Sequence, residues 1–90
     1  MKPNETWYEG QDIALRCTWL GNPATIIQWK KDGQILDSES GYKIEIKENS
    51  SSLTIQNAKK EDNGLFACII GNETGSNMTR CQVNITRKIN

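Results

Sequence analysis

Apolar positions along this chain recur at every second residue in short runs, and turn-forming residues separate the runs. That period places alternate side chains on opposite faces of an extended strand. Ile13, Leu15, Cys17 and Trp19 alternate with Ala14, Arg16 and Thr18, predicting a strand with its odd positions inward; Gly21-Asn22-Pro23 then breaks it. Ile27 and Trp29 share one face of the next strand, with Ile26, Gln28 and Lys30 on the other. Asp32-Gly33 follows, a pair that accepts the positive φ of a tight hairpin. Tyr42, Ile44 and Ile46 alternate with charged residues as a further half-buried strand, and Asn49-Ser50-Ser51 turns the chain into Leu53-Thr54-Ile55. A polar corner over residues 58–64, with room for one helical turn, leads to Phe66, Cys68 and Ile70 facing inward. Asn72-Glu73-Thr74-Gly75 forms a hairpin before Cys81, Val83 and Ile85, which again point inward. No long stretch of helical period competes, so the expected fold is an all-β, two-sheet antiparallel sandwich with Greek-key connections.

Ninety residues suffice for one core, so residues 1–90 are expected to form a single domain. Both ends are polar and lack targeting signals, which suggests a domain excised from a larger multidomain protein. The longest apolar run is six residues, Leu65 to Ile70, whereas a membrane-spanning helix needs about twenty. Eleven basic and eleven acidic residues cancel. Lys30-Lys31 and Lys59-Lys60 are each followed at once by acid, and read as solvated turn residues. Without a basic surplus, neither nucleic acid nor an anionic membrane is an expected partner.

Several stretches in register resemble an immunoglobulin domain of the intermediate, or I-set, type. They are Glu9-Gly10, Leu15-Arg16-Cys17, Gly21-Asn22-Pro23, Trp29-Lys30-Lys31-Asp32-Gly33, Ser52 through Ala58, Glu61 through Cys68, and Asn72 through Gly75. The resemblance covers nearly the whole chain. It implies a disulfide between Cys17 and Cys68 clasping the two sheets, with Trp29 packed beside it and Leu15, Leu53 and Phe66 in the core. Such a bridge, closing about fifty residues, would stabilise the domain by roughly 4 kcal/mol in the chain-entropy model. Phe66 stands where the family usually has a tyrosine, so the corner is expected to lose one hydrogen bond, about 1 kcal/mol, and to be looser. Cys81 is the odd third cysteine; its parity places it in the core near Phe66 and Cys68, either as a small space-filling hydrophobe or as a thiol able to exchange disulfide partners.

Catalytic chemistry is hard to find. Histidine is absent, no Cys-x-x-Cys occurs, and the acid pairs Asp37/Glu39 and Glu61/Asp62 lie in polar turns. Gly71 to Gly75 fits a hairpin rather than a phosphate cradle. We therefore expect no enzyme activity, cofactor or metal site. Five Asn-x-Ser/Thr sequons stand at Asn4, Asn49, Asn72, Asn77 and Asn84, against about one expected by chance, and all are expected on loops or outward strand positions where a glycan could be carried.

On the sheet holding Trp29, the outward positions Ile26, Gln28, Leu65, Ile69 and Gln82 suggest a partner face, with Asn84 on the same side as a glycan able to block it. Trp7-Tyr8 either packs the first edge strand or stands exposed. The expected function is a non-catalytic protein-recognition module, for adhesion or receptor binding, on the cell surface or in a secreted multidomain protein. Its partner would be another protein, with homophilic contact as one form. The alternative is a structural spacer of an intracellular sarcomeric or cytoskeletal, titin-like protein.

Overall fold

A computed structural model describes residues 4–19, 26–37, 41–72 and 75–87. Eight strands follow one another: β1 (Asn4–Tyr8), β2 (Ile13–Thr18), β3 (Ile26–Lys31), β4 (Gln34–Leu36), β5 (Lys43–Ile46), β6 (Ser50–Ile55), β7 (Gly64–Asn72) and β8 (Gly75–Thr86), with one 3-10 turn (Lys60–Asp62) before β7. They form a five-stranded sheet in the order β1-β8-β7-β3-β4 and a three-stranded sheet in the order β2-β6-β5. All pairs are antiparallel except β1 with β8, which run parallel. The Gly21-Asn22-Pro23 break and the middle of the Asn72–Gly75 hairpin lie outside the described residues.

Register explains the core. On the small sheet Ile13 pairs with Ile55, Leu15 with Leu53, and Cys17 with Ser51, and every one of these is buried. On the large sheet Trp29 pairs with Cys68, and Phe66 with Cys81. The two inner faces close on each other with Trp29, Phe66, Leu15 and Leu53 at 2% exposure or less, so the alternation seen in the sequence places one apolar face of each sheet against the other. Trp7 packs against this core and Tyr8 is exposed. Ile46 departs from expectation: it has the inward parity and pairs with Ser51, yet it is 59% exposed at the end of an edge strand.

The hairpin between β3 and β4 turns through Asp32 at φ 51° and Gly33 at φ 84°. Asp32 also locks the hairpin to β7, because its backbone N–H donates to Leu65 O at 2.9 Å and its Oδ1 accepts from Leu65 N at 2.9 Å. Lys31 is more than a solvated turn residue. Its Nζ donates to the Glu61 carbonyl and lies 5.9 Å from the centre of the Phe66 ring.

The corner before β7 is held by Asp62 and Asn63 of the family pattern together with Tyr42, which that pattern did not single out. Asp62 accepts from Tyr42 Oη through Oδ1 and from Lys59 N through Oδ2, both at 2.8 Å. Tyr42 also meets Phe66 edge to face, with ring centres 5.7 Å apart. The hydroxyl that Phe66 lacks is thus supplied to the corner by Tyr42, just before β5. Asn63 adds a two-way link to β8, accepting from Ile85 N at 2.8 Å and donating to Ile85 O at 3.3 Å.

Candidate functional site

Two regions hold the residues singled out by the sequence: the interior around the cysteines, and the outer face of the five-stranded sheet. In the interior, Cys17, Cys68 and Cys81 are all buried, and all three are free thiols. This differs from the expected Cys17–Cys68 disulfide. The pair is nonetheless brought together across the two sheets. Burial raises the Cys68 thiol well above its ordinary value of 9.0, and a hydrogen bond with Cys17 raises it further. Whether such a neighbouring pair is oxidised depends on the redox poise of the compartment as well as on the fold. Cys17 Sγ lies 3.9 Å from Thr79 Oγ1. Burial, followed by the nearby Glu5 carboxylate, also raises the Cys81 thiol.

Beside the thiols, Trp29 is 1% exposed and its indole N–H donates to Ser51 Oγ at 2.9 Å. Ser51 in turn donates to the Glu45 carbonyl at 2.9 Å and is itself 1% exposed. A buried indole donor needs such an acceptor. Ser51 escaped the sequence reading because it looked like turn polarity; its parity with Leu53 and Ile55 was the available signal.

The outer face of the large sheet is built in rows by the strand register. One row runs Ile35, Lys30, Ala67, Arg80; the next runs Gln28, Ile69, Met78; a third places Ile26 beside Gly71 and Ser76. Ile26, Ile35 and Met78 are 51%, 60% and 48% exposed. Leu65 and Gln28 are also exposed, and Ile69 and Gln82 are half-buried. The face therefore contains all five expected residues, and Ile35 and Met78 extend it. Ile35 adds the edge strand β4, and Met78 lies further along β8 from Gln82. Ala67 faces outward yet is buried between Lys30 and Arg80, whose long aliphatic stems suit that covering role.

The sequons fall around this patch. Asn4 and Asn84 share the outer face at its opposite end, and the Asn84 carboxamide donates to Asn4 Oδ1 and to the Glu5 carbonyl. Six residues of extended strand separate Asn84 from Met78, about 20 Å at the usual rise. Asn72 and Asn77 have the parity of Ile70 and Cys68, so they face away from the patch at the far end of the β7–β8 hairpin. Asn77 is exposed there, although its position is not an outward one. Asn49 is exposed in the turn before β6, where its carboxamide donates to the Trp19 carbonyl at 3.3 Å.

No group of three or more potential metal ligands occurs among the described residues. The surface depressions are shallow. One, of about 240 Å³, is lined by Ala14, Arg16, Glu45 and Ser50 to Ser52 on the small sheet.

The relatives of this chain include both receptor or adhesion proteins and titin-like muscle proteins. The chain is 39% identical over 72 residues to vascular endothelial growth factor receptor 2 of Rattus norvegicus, covering 80% of this chain and 5% of that protein. It is 35% identical over 72 residues to neural cell adhesion molecule 1 of Bos taurus, covering 80% and 8%. It is 32% identical over 73 residues to a titin homolog of Caenorhabditis elegans, covering 81% of this chain and a negligible share (0%) of that protein. The chain thus spans a small fraction of the length of each of these relatives. Among solved structures, a titin Ig tandem superposes with a TM-score of 0.88 at 20% identity, covering 98% of this chain and 46% of that one. A titin domain solved alone gives 0.80 at 26% identity, covering 94% and 88%. Immunoglobulin-like domains of this kind therefore occur in both cell-surface receptors and titin-like intracellular proteins. The profile of the immunoglobulin I-set domain matches residues 2–85, and the chain belongs to that family.

Proposed function

We propose that this domain is a protein-recognition module of an extracellular, multidomain adhesion or receptor protein, and that it binds through the outer face of its five-stranded sheet. The observation that carries this reading is the apolar patch of exposed Ile26, Ile35 and Met78 with half-buried Ile69, beside the Lys30–Arg80 row. Contiguous exposed apolar side chains rimmed by polar ones suit a partner interface. The five sequons support the extracellular reading, and their asparagines lie off the rows that hold Ile26, Ile69 and Met78: at the other end of that face, on the far hairpin and at the opposite turn. With two cations at its centre, the patch suits a partner surface that is apolar with carboxylates at its rim. Two copies apposed on a twofold axis would bring like charges together. The domain performs no chemistry; it presents a rigid face.

A labelled multimer of the domain applied to intact cells tests this. Binding should be lost in Met78→Glu and in Ile69→Glu, weakened by salt, and retained in Arg16→Glu on the opposite sheet. Binding that survives the first two substitutions and disappears in the third would refute the assignment of the face.

The likeness to titin-like proteins favours a second reading, a folded spacer in an intracellular muscle scaffold. Under that reading the asparagines are never glycosylated, and the ends of the domain rather than its outer face carry the contacts.

A further inference from the structure

The sequon at Asn49 differs from those at Asn4 and Asn84 in what its hydroxyl residue does, while at Asn77 the hydroxyl, Thr79 Oγ1, is part-buried 3.9 Å from Cys17 Sγ. Two residues on stands Ser51, whose Oγ is sealed in the core, accepting from Trp29 Nε1 and donating to the Glu45 carbonyl, both at 2.9 Å. At Asn4 and Asn84 the corresponding residues are Thr6 and Thr86, both exposed. Asn49 itself is exposed, with its carboxamide donating to the Trp19 carbonyl at 3.3 Å, whereas its partner hydroxyl is buried.

A transferase that accepts only Asn-x-Ser/Thr must contact that hydroxyl, since the middle residue is nearly free. From this we infer that Asn49 is an N-glycosylation acceptor only before the domain folds: seating Trp29 withdraws the Ser51 hydroxyl, and with it the site. The inference rests on the extracellular reading above and deepens it. In the transfer, Asn49 Nδ2 attacks the anomeric carbon of a lipid-pyrophosphate-linked oligosaccharide. The new N–C bond forms as the C–O bond to pyrophosphate breaks, the lipid pyrophosphate leaves, and the amide proton passes to a base on the transferase. Nothing in that step requires Ser51 to remain free afterwards. A chain modified at Asn49 can therefore still fold, because the glycan is carried by an exposed side chain and the hydroxyl returns to Trp29. Occupancy at Asn49 then records a race between transfer and folding, whereas at Asn4 and Asn84 the hydroxyls stay outside the core.

The obvious substitution, Ser51→Ala, removes the sequon and damages the core together, so it cannot test the idea. Moving the acceptor by one residue can. In the double variant Glu48→Asn/Asn49→Gln, the hydroxyl two residues on belongs to Ser50, which has the outward parity of β6 and is half-exposed. Each protein is presented, folded, to a purified single-subunit oligosaccharyltransferase with its lipid-linked oligosaccharide. Each is also presented after reduction and alkylation of the three core cysteines, with unfolding checked by circular dichroism. Transfer is mapped by peptide mass spectrometry.

In the wild type we expect transfer to Asn49 to be at least about tenfold slower in the folded domain than in the unfolded one, the residue of activity reporting transient opening. The shifted acceptor should be modified in both states. Equal rates at Asn49 in the two states would overturn the inference. So would refusal of the shifted acceptor by the folded domain, because stiffness of the turn would then explain the block, and so would failure of the unfolded wild type to accept sugar at Asn49. None of these outcomes depends on where the protein resides. The extracellular reading fails separately, if the native protein carries no hexosamine on any asparagine.

Discussion

Removing the hydroxyl of Ser51 should destabilise the domain far more than its place in a serine-rich stretch suggests. In Ser51→Ala the Trp29 indole N–H, on a residue only 1% exposed, loses its 2.9 Å acceptor. Leaving a buried donor unsatisfied costs about 1–3 kcal/mol, whereas a satisfied pair contributes only about 1 kcal/mol net. The bond from Ser51 to the Glu45 carbonyl is lost as well, but that carbonyl lies near the edge strand β5 and can turn to solvent. For a domain of this size the loss corresponds to roughly 4–24 °C in Tm. Urea unfolding of the wild type, Ser51→Ala, Trp29→Phe and the double variant closes a thermodynamic cycle. Once phenylalanine has removed the donor, Ser51→Ala should cost little, giving a coupling energy of about 1–2 kcal/mol between the two positions. A coupling near zero, with Ser51→Ala equally costly in both backgrounds, would refute the idea that the serine is there for the indole.

Other consequences are as direct. Tyr42 is held above its ordinary 10.0 first by burial and then by its bond to Asp62. A raised value in the folded state means stability that is complete below the unfolded pKa and is lost as pH rises through and beyond about 10. Urea midpoints across that range should therefore fall less steeply in Tyr42→Phe than in the wild type. Cys68, raised in the same sense from 9.0, should give the reduced protein a further loss of stability above about pH 9 that vanishes once Cys17 and Cys68 are linked. Gly64→Ala would bring a methyl group to 2.8 Å from Asp32 Oδ2 and 3.0 Å from Lys31 Cε; displacing that carboxylate from Leu65 N should cost about 1–2 kcal/mol, read as a lower urea midpoint with unchanged slope. Cys81→Ala, replacing a fully buried side chain beside Phe66, should cost about 1 kcal/mol and leave Cys17 and Cys68 adjacent, as measured by denaturation and by the ease of oxidative linkage.

Most of the sandwich can be traced in the sequence because each central strand alternates cleanly and buries one face. Leu15, Trp29, Leu53 and Phe66 each lie within such a strand. What escaped detection was set by the ends of strands and by contacts between them. Ile46 has the right parity but sits at the tip of an edge strand, where the facing sheet no longer covers it. Tyr42 looked like another inward aromatic; only the packing of β5 against the corner turns its hydroxyl toward Asp62. Lys31 read as solvated because its neighbour is Asp32, yet strand geometry carries its ammonium across Phe66 to the Glu61 carbonyl. The outer face was partly legible: Ile26, Leu65 and Ile69 followed from alternation, while Ile35 and Met78 needed the register of β4 and β8. Asn84 was expected to crowd the apolar patch. The register keeps it on that face, two residues along β8 from Gln82, which pairs with Leu65, and six from Met78. No pattern in the residues specifies the oxidation state of Cys17 and Cys68, which is set by the surroundings of the protein.

Mass spectrometry of the protein isolated from its own source, digested without reduction, addresses the central claim most directly. A recognition module working outside the cell should yield a peptide pair joined through Cys17 and Cys68, with hexosamine on several of Asn4, Asn49, Asn72, Asn77 and Asn84. Three unlinked cysteines together with five bare asparagines would contradict it and assign the domain to an intracellular scaffold.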